Sequence, residues 1–166
     1  EAACVFAEVK ILVLSQGHPG VVGYKGCFSD GGVKSKQWSL VFDYYQHGDL
    51  YDRIAQGHGL MERDAMPLLN NLLCALVFLH DRDIFHRDVK PENLLMADDG
   101  KAVLADFGIA CLISDKDELK QISGTVAYAA PEMLQGESIG YEGDAFGAGV
   151  VLYCMLSRSM PFLAPS

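Results

Sequence analysis

The chain's 166 residues, half of them hydrophobic, suffice for one sizeable core; their formal charge of −9, from 22 acidic and 13 basic residues with no Lys/Arg block, excludes the footprint of a nucleic-acid binder and suits basic peptides instead. Five cysteines (Cys4, Cys27, Cys74, Cys111, Cys154), odd in number, scattered and without metal-type spacing, read as reduced buried thiols rather than a disulfide framework. The longest apolar stretch, residues 145–156, is too short to span a bilayer, and the first residues lack the basic flank, apolar run and cleavage site of a signal peptide, so no membrane partner and a cytoplasmic or nuclear location are expected.

Residues 1–14 carry good helix formers (Ala2, Ala3, Ala7, Glu8, Lys10, Leu12), and Gly17, His18 and Pro19 close that helix. Residues 21–28 and 38–43 read as two strands around a polar, glycine-containing loop over 29–37. Asp49 begins a short helix over 49–54, which its carboxylate can cap. Leu68, Leu69, Leu72, Leu73, Leu76 and Leu79 recur at helical spacing between Glu62 and His80 and predict a long helix; Pro67 removes a donor inside its second turn, so a late start or a kink is expected. Residues 94–97 and 102–105 are short apolar strands around Asp98, Asp99, Gly100 and Lys101, a hairpin that brings Asn93 at its start together with Asp106 at its exit. Asp144, available as an N-cap, opens a nearly all-apolar helix over 145–156, expected to be buried on every side.

Within this frame residues 86–93 read HRDVKPEN, DFG follows at Asp106, Phe107 and Gly108, and APE at Ala130, Pro131 and Glu132. Taken alone, Asp88 or Asn93 would be a loop residue making turn hydrogen bonds. The ordered set is too specific for chance, and with it the chain resembles the catalytic domain of eukaryotic Ser/Thr protein kinases. The resemblance implies an α+β, protein kinase-like fold, incomplete: residues 1–43 are the end of the small lobe (the family's C helix and its fourth and fifth strands), and 44–166 most of a mainly helical large lobe, to just past the family's F helix. It implies ATP-dependent phosphorylation of Ser/Thr hydroxyls on protein substrates, with Mg²⁺.

Phosphoryl transfer needs in-line placement, neutralised phosphate charge and an acceptor for the hydroxyl proton. Asp88 is the natural acceptor. Oxygen ligands suit Mg²⁺, and Asn93 and Asp106 supply an amide oxygen and a carboxylate from two loops. By resemblance, Lys90 stabilises the transferring phosphate, Thr125 in GTVAYAAPE contacts Asp88 and Lys90, and Asp144 anchors the catalytic-loop backbone. HPGVV, at residues 18–22, resembles the link after the family's C helix, which puts Glu8 in the place of that helix's glutamate and Leu12 in that of an internal spine residue; the alternative for Glu8 is a solvated helix acid. Phe42 is similar to a gatekeeper, Asp43, Tyr44 and Tyr45 to the hinge whose backbone meets adenine, Asp49 to a ribose- or arginine-binding acid, and Leu95 to the leucine beneath adenine, or equally to a core leucine. Phe107 beside Gly108, a residue free to take positive φ, makes a plausible latch.

The segment from Asp106 to Glu132 resembles an activation loop, and Arg87 is the kind of residue that pairs with a loop phosphate. The usual acceptor position holds Gln121, with Ser123 and Ser114 as alternatives, while Asp115, Asp117 and Glu118 can supply permanent negative charge. Asp49 and Glu92 lie where acids grip an upstream Arg or Lys of the substrate, and Cys154 stands where many such enzymes have another acid. HPGVV, DLYDRI and the loop composition look closest to the calmodulin-dependent group, with calcium or calmodulin control outside this segment. No GxGxxG-type loop or phosphate-binding lysine is recognised, and the arginine that pairs with Glu132 in the family is missing. The residues are therefore expected to be a piece of a longer enzyme, inactive alone. The competing reading is a pseudokinase-like binding or scaffolding protein; a small-molecule phosphotransferase is disfavoured by APE and Thr125, which shape a peptide platform.

Overall fold

A computed structural model describes residues 2–32, 37–57, 59–121, 123–137 and 140–162; Glu1, the Cys4 side chain and loop residues 33–36 lie outside the described residues. Helix α1, Ala2–Leu14, buries Ile11 and Leu12 and stops where Ser15 Oγ donates back to the Leu12 carbonyl (3.0 Å) and Gly17 turns to φ 108°. Gln16 then staples the helix to the following segment, donating to Val22 O (3.2 Å) and accepting from Tyr24 N (3.0 Å).

Strand β1, Tyr24–Phe28, pairs antiparallel with β2, Ser39–Phe42, through an irregularity between Tyr24 and Gly26. The predicted strand over 21–28 starts only at Tyr24, because Val21 and Val22 pair elsewhere. Val22 N donates to Leu104 O (2.9 Å) and Leu104 N to Gly20 O (2.8 Å), tying this segment to the hairpin below.

Helix α2, Leu50–Gln56, is capped by Asp49, whose Oδ1 accepts from Asp52 N (2.9 Å), as its composition leads one to expect. Helix α3, Glu62–His80, buries Ala65, Leu68, Leu72, Ala75, Leu76 and Leu79, the 3–4 spacing read from the leucines, each fully buried leucine contributing about 1.5–3 kcal/mol. The expected late start does not occur: Asp64 N and Ala65 N both bond Met61 O at 2.9 Å, so the first turn closes ahead of Pro67, and the proline forfeits one bond on an exposed face.

Strand β3, Ile84–Phe85, leads into the HRDVKPEN loop, whose end is a 3₁₀ turn, Pro91–Asn93. Strands β4, Leu94–Met96, and β5, Ala102–Leu104, form the predicted hairpin around Gly100 at φ 79°. Strand β6, Cys111–Leu112, pairs with β3, and α4, Lys116–Leu119, follows with Asp115 as its cap. A 3₁₀ turn, Val126–Tyr128, leads to α5, Pro131–Leu134, and then to α6, Tyr141–Ser157. Among the described residues the strands thus form three two-stranded sheets, and in the core α3 packs against α6 and β5.

Two expectations for α6 are corrected. The helix begins at Tyr141 with Gly140 in the capping position, so Asp144 lies inside the first turn and points into the catalytic loop instead of capping. Nor is the helix buried all round: Ala145, Gly149, Tyr153 and Leu156 form an exposed stripe, because α3 and the 86–89 segment cover only the opposite face. Gly147 on the covered face allows this approach, since a Cβ there would sit 3.1 Å from the Val89 carbonyl. Cys27, Cys74, Cys111 and Cys154 are unpaired thiols, and Cys74, contrary to the expectation of burial, is exposed on α3. Among the described residues no helix is long and apolar enough to cross a membrane.

Candidate active site

The HRDVKPEN loop is organised from below by one carboxylate. Asp144, 1% exposed, accepts from His86 N (3.0 Å, Oδ2), from Arg87 N (2.9 Å, Oδ1) and from His80 Nε2 (2.9 Å, Oδ2). These bonds hold Arg87 at φ 72°, a left-handed conformation that costs a non-glycine residue about 1–3 kcal/mol.

Asp88 follows, and both oxygens of its carboxylate are held by neighbouring donors, one of which an incoming hydroxyl can replace. Oδ1 accepts from Thr125 N (3.0 Å) and Thr125 Oγ1 (2.8 Å); Oδ2 accepts from Asn93 Nδ2 (3.0 Å) and lies 2.6 Å from Lys90 Nζ. Lys90 Nζ also donates to Thr125 Oγ1 (2.9 Å), closing a ring of three side chains. Burial pushes the Asp88 carboxyl up, but hydrogen bonds from Lys90 and Thr125 and the ammonium charge outweigh it and hold the group below its ordinary value. Thr125 reaches Asp88 because Gly124 adopts φ 97° and packs flat on the loop; a Cβ there would lie 2.6 Å from Arg87 O.

Asn93 donates Nδ2 to the Asp88 carbonyl as well (2.9 Å), which leaves its amide oxygen as the acceptor not engaged by Asp88. Ala105 N donates to Asn93 O (2.8 Å), so the residue before Asp106 is bonded to Asn93, and the hairpin brings these two predicted ligands side by side. An amide oxygen beside an exposed carboxylate is a hard-oxygen set that fits Mg²⁺. The latch differs in detail from expectation: Asp106 (φ 61°) takes the left-handed conformation and Gly108 does not, its N–H instead bonding Asp106 Oδ1 (3.2 Å). Phe107 is buried as expected, with its ring 5.0 Å from that of His86 in an edge-to-face arrangement. His86 Nε2 donates to Ala105 O (3.0 Å), and burial pushes this imidazole down, keeping it neutral.

Glu8 on α1 faces the same region. Burial, and then the Asp106 charge, push its carboxyl up, and among the described residues Glu8 forms no ion pair. Phe42 ends β2 with its ring 5.8 Å from Tyr24, and Asp43 donates its N–H to Gly23 O (2.7 Å) while its carboxylate turns to Lys25 (2.8 Å). Tyr45 is half-buried against the core, and Leu95, also half-buried, is bridged to Asp49 across β4. Among the described residues no hydrogen bond or ion pair joins these five to Asp88.

Arg87 carries its guanidinium to the segment after Asp106, donating to Gln121 O and to Ile109 O (3.5 Å) and standing 3.9 Å from Glu118. Of the three acids in this stretch Glu118 is the one that reaches it, whereas Asp115 is spent capping α4 by accepting from Glu118 N (3.2 Å). A cavity of about 370 Å³ separates this segment from α1, bordered by Glu8, Phe107, Glu118 and Ser123. Glu132 forms no ion pair among the described residues. Two residues of the site escaped the sequence reading, His80 and Gly124. Gly124 carried a signal in GTVAYAAPE; His80, at the end of an amphipathic helix, carried none.

The protein kinase domain family model matches residues 1–166. Over 161 residues the chain is 35% identical to the phosphorylase b kinase gamma catalytic chain, liver/testis isoform, of Bos taurus, covering 93% of this chain and 39% of that protein. It is 36% identical over 166 residues to serine/threonine-protein kinase cds1 of Schizosaccharomyces pombe (96% and 35%), and 35% identical over 161 residues to calcium/calmodulin-dependent protein kinase type IV of Mus musculus (95% and 33%). It thus spans between a third and two fifths of the length of these relatives. With a family match running along all of its residues, the chain belongs to the protein kinase family.

Proposed function

We propose that the full-length protein transfers the terminal phosphoryl group of ATP to serine or threonine hydroxyls of protein substrates. The observation that carries this reading is the closed cluster of Asp88, Lys90, Thr125 and Asn93. The bond from the terminal phosphorus to the ADP oxygen breaks, a bond to the substrate oxygen forms, and the hydroxyl proton goes to Asp88. A carboxyl held below its ordinary value is a weak base, so Asp88 works chiefly by orienting the hydroxyl and accepts the proton late. Lys90 neutralises charge growing on the transferred group, and Thr125 fixes the orientation of both. Asn93 Oδ1 and the Asp106 carboxylate would hold Mg²⁺, which when bound neutralises phosphate oxygens. The Asp43 and Tyr45 backbone and Leu95 would take adenine behind Phe42, and Asp49 the ribose. Glu8, whose carboxyl burial and then the Asp106 charge push up, would receive a phosphate-binding lysine that favours its charged form.

Relatives named as Ser/Thr and calcium/calmodulin-dependent kinases support the choice of hydroxyl, and calcium or calmodulin control would act through residues other than these. Exposed Glu92 and half-buried Asp49 favour substrates with an upstream Arg or Lys. A cytoplasmic or nuclear location accords with the unpaired thiols. Glu118 beside Arg87 supports a loop that needs no phosphate.

The test uses phosphatase-treated full-length protein with labelled ATP, Mg²⁺ and a serine peptide carrying an upstream arginine. Wild type should label the peptide serine, and Asp88→Asn should lose at least about a hundredfold. Equal labelling by the two proteins would overturn the kinase reading. Activity that returns only after Ser123 phosphorylation would overturn the role of Glu118 alone.

A further inference from the structure

We infer that Arg158 is a positioning residue for nucleotide binding, acting through α2 on Asp49, the acid assigned to the ribose; the inference rests on the kinase reading above. Helix α2 has seven residues, too few to hold a helix without help, and glycines in the left-handed conformation flank it, Gly48 at φ 68° before it and Gly59 at φ 85° after it. Its first end is fixed by Asp49, which caps the helix and is bridged to Leu95 on β4. Its last end is reached from far along the chain: Arg158 donates Nη2 to Ala55 O (2.9 Å), a last-turn carbonyl that has no partner within so short a helix.

Arg158 makes that bond from a strained backbone. It closes α6 by donating its own N–H to Cys154 O (2.9 Å) while adopting φ 57° and ψ 23°, the left-handed conformation that suits glycine and is costly for arginine. A strained residue persists where its surroundings over-determine it, and the guanidinium bond to α2 is what a glycine in this place could not supply. The lock is reciprocal. Leu60 N donates to Met155 O (2.7 Å), so the segment leaving α2 closes the end of α6 while the cap of α6 closes the end of α2. Gly59 permits this approach, since a Cβ there would lie 3.0 Å from Leu156 O. Because α6 is rooted in the core through Val150, Val151 and Met155, the tie passes its fixed position on to α2. Without it α2 can swing between its glycine joints and carry Asp49 along, and a binding group that spends time out of place lowers affinity by that fraction. Asp88, Lys90, Asn93 and Thr125 are held by bonds among themselves, so the transfer step does not depend on the tie.

The experiment compares full-length wild type, Arg158→Gly and Arg158→Lys by steady-state kinetics, MgATP titration calorimetry, thermal melts and amide exchange over residues 50–56. Arg158→Gly relieves the backbone while cutting the tie, so the melting midpoint should not fall, yet KM for ATP and the MgATP Kd should rise together by about three- to tenfold with kcat within about twofold of wild type. The amides of α2 should exchange faster relative to those of α6. A lysine ammonium can still donate to the Ala55 carbonyl, so Arg158→Lys should keep KM within about twofold of wild type and retain most of the protection. Should Arg158→Gly fail to fold, Arg158→Asn, which tolerates the left-handed conformation and is too short to reach Ala55, takes its place with the same expectation. Wild-type KM and wild-type exchange in a folded variant lacking the guanidinium would overturn the inference. So would Arg158→Lys being as impaired as Arg158→Gly, or a midpoint and kcat that fall together while KM stays put, since those are the marks of a purely structural cap. If wild type labels no peptide, the kinase reading fails, while exchange over residues 50–56 still decides whether Arg158 holds α2.

Discussion

Replacing Asp144 by asparagine preserves the size of the side chain and removes one acceptor. Its Oδ1 accepts from Arg87 N, and its Oδ2 from His86 N and His80 Nε2, at 2.9–3.0 Å. An amide must turn its NH₂ toward one side. With NH₂ at the first position, two donors face each other at Arg87. With NH₂ at the second, His80 can change tautomer and accept, but the His86 N–H is orphaned. Either orientation leaves one buried backbone N–H unbonded, at a cost of about 1–3 kcal/mol. For a domain of this size each kcal/mol moves the melting temperature by about 2–4 °C, so a fall of roughly 2–12 °C is expected. The rate should suffer further, about tenfold or more in kcat, because the freed peptide lets Arg87 relax from φ 72° and carries Asp88 with it. Thermal melts followed by calorimetry, with kcat measured well below both midpoints, decide the matter. A midpoint within about 1 °C of wild type together with an unchanged kcat would refute the reasoning, since the orphaned donor would then cost nothing.

Two other outcomes follow from the same geometry. Gly124→Ala should destabilise by about 1–3 kcal/mol in urea unfolding and lower kcat, because the added Cβ would lie 2.6 Å from Arg87 O at φ 97° and must push Thr125 off Asp88; wild-type values for both would contradict the close approach. Burial pushes the His86 imidazole down, so as pH falls through the unfolded value of about 6.5 the unfolded chain takes up a proton that the folded chain refuses, and stability is lost. His86→Phe, which keeps a ring against Phe107, should flatten the stability profile between about pH 7 and 5, and parallel profiles would show that His86 is not the group responsible.

Much of the site could be read from residues close together in the chain. Asp88, Lys90 and Asn93 sit within one loop and its 3₁₀ turn, and the hairpin that brings Asp106 to Asn93 is written in two short apolar runs around Asp98 to Lys101. The segment after Phe107 was less legible. Strand β6 has two residues and pairs with β3 across the chain, and α4 has four, both below the length at which periodicity speaks.

Val21 and Val22 show why strand limits were misjudged: two β-branched residues ahead of β1 read as its continuation, yet their partners lie on β5. Apolar character says that a residue will be covered, not by what. The same holds for α6, whose composition suggested burial on every side while packing covers one face.

By itself the sequence determined the chemistry available, an acid, a lysine, an amide and a second acid at spacings specific to one family, because those groups sit in one loop and the short hairpin that follows it. Only the tertiary structure decided how the acid is held. The carboxylate of Asp144 reaches the loop from a helix more than fifty residues further along the chain and also bonds His80, and the left-handed turn at Arg87 exists because those long-range bonds outweigh its local cost.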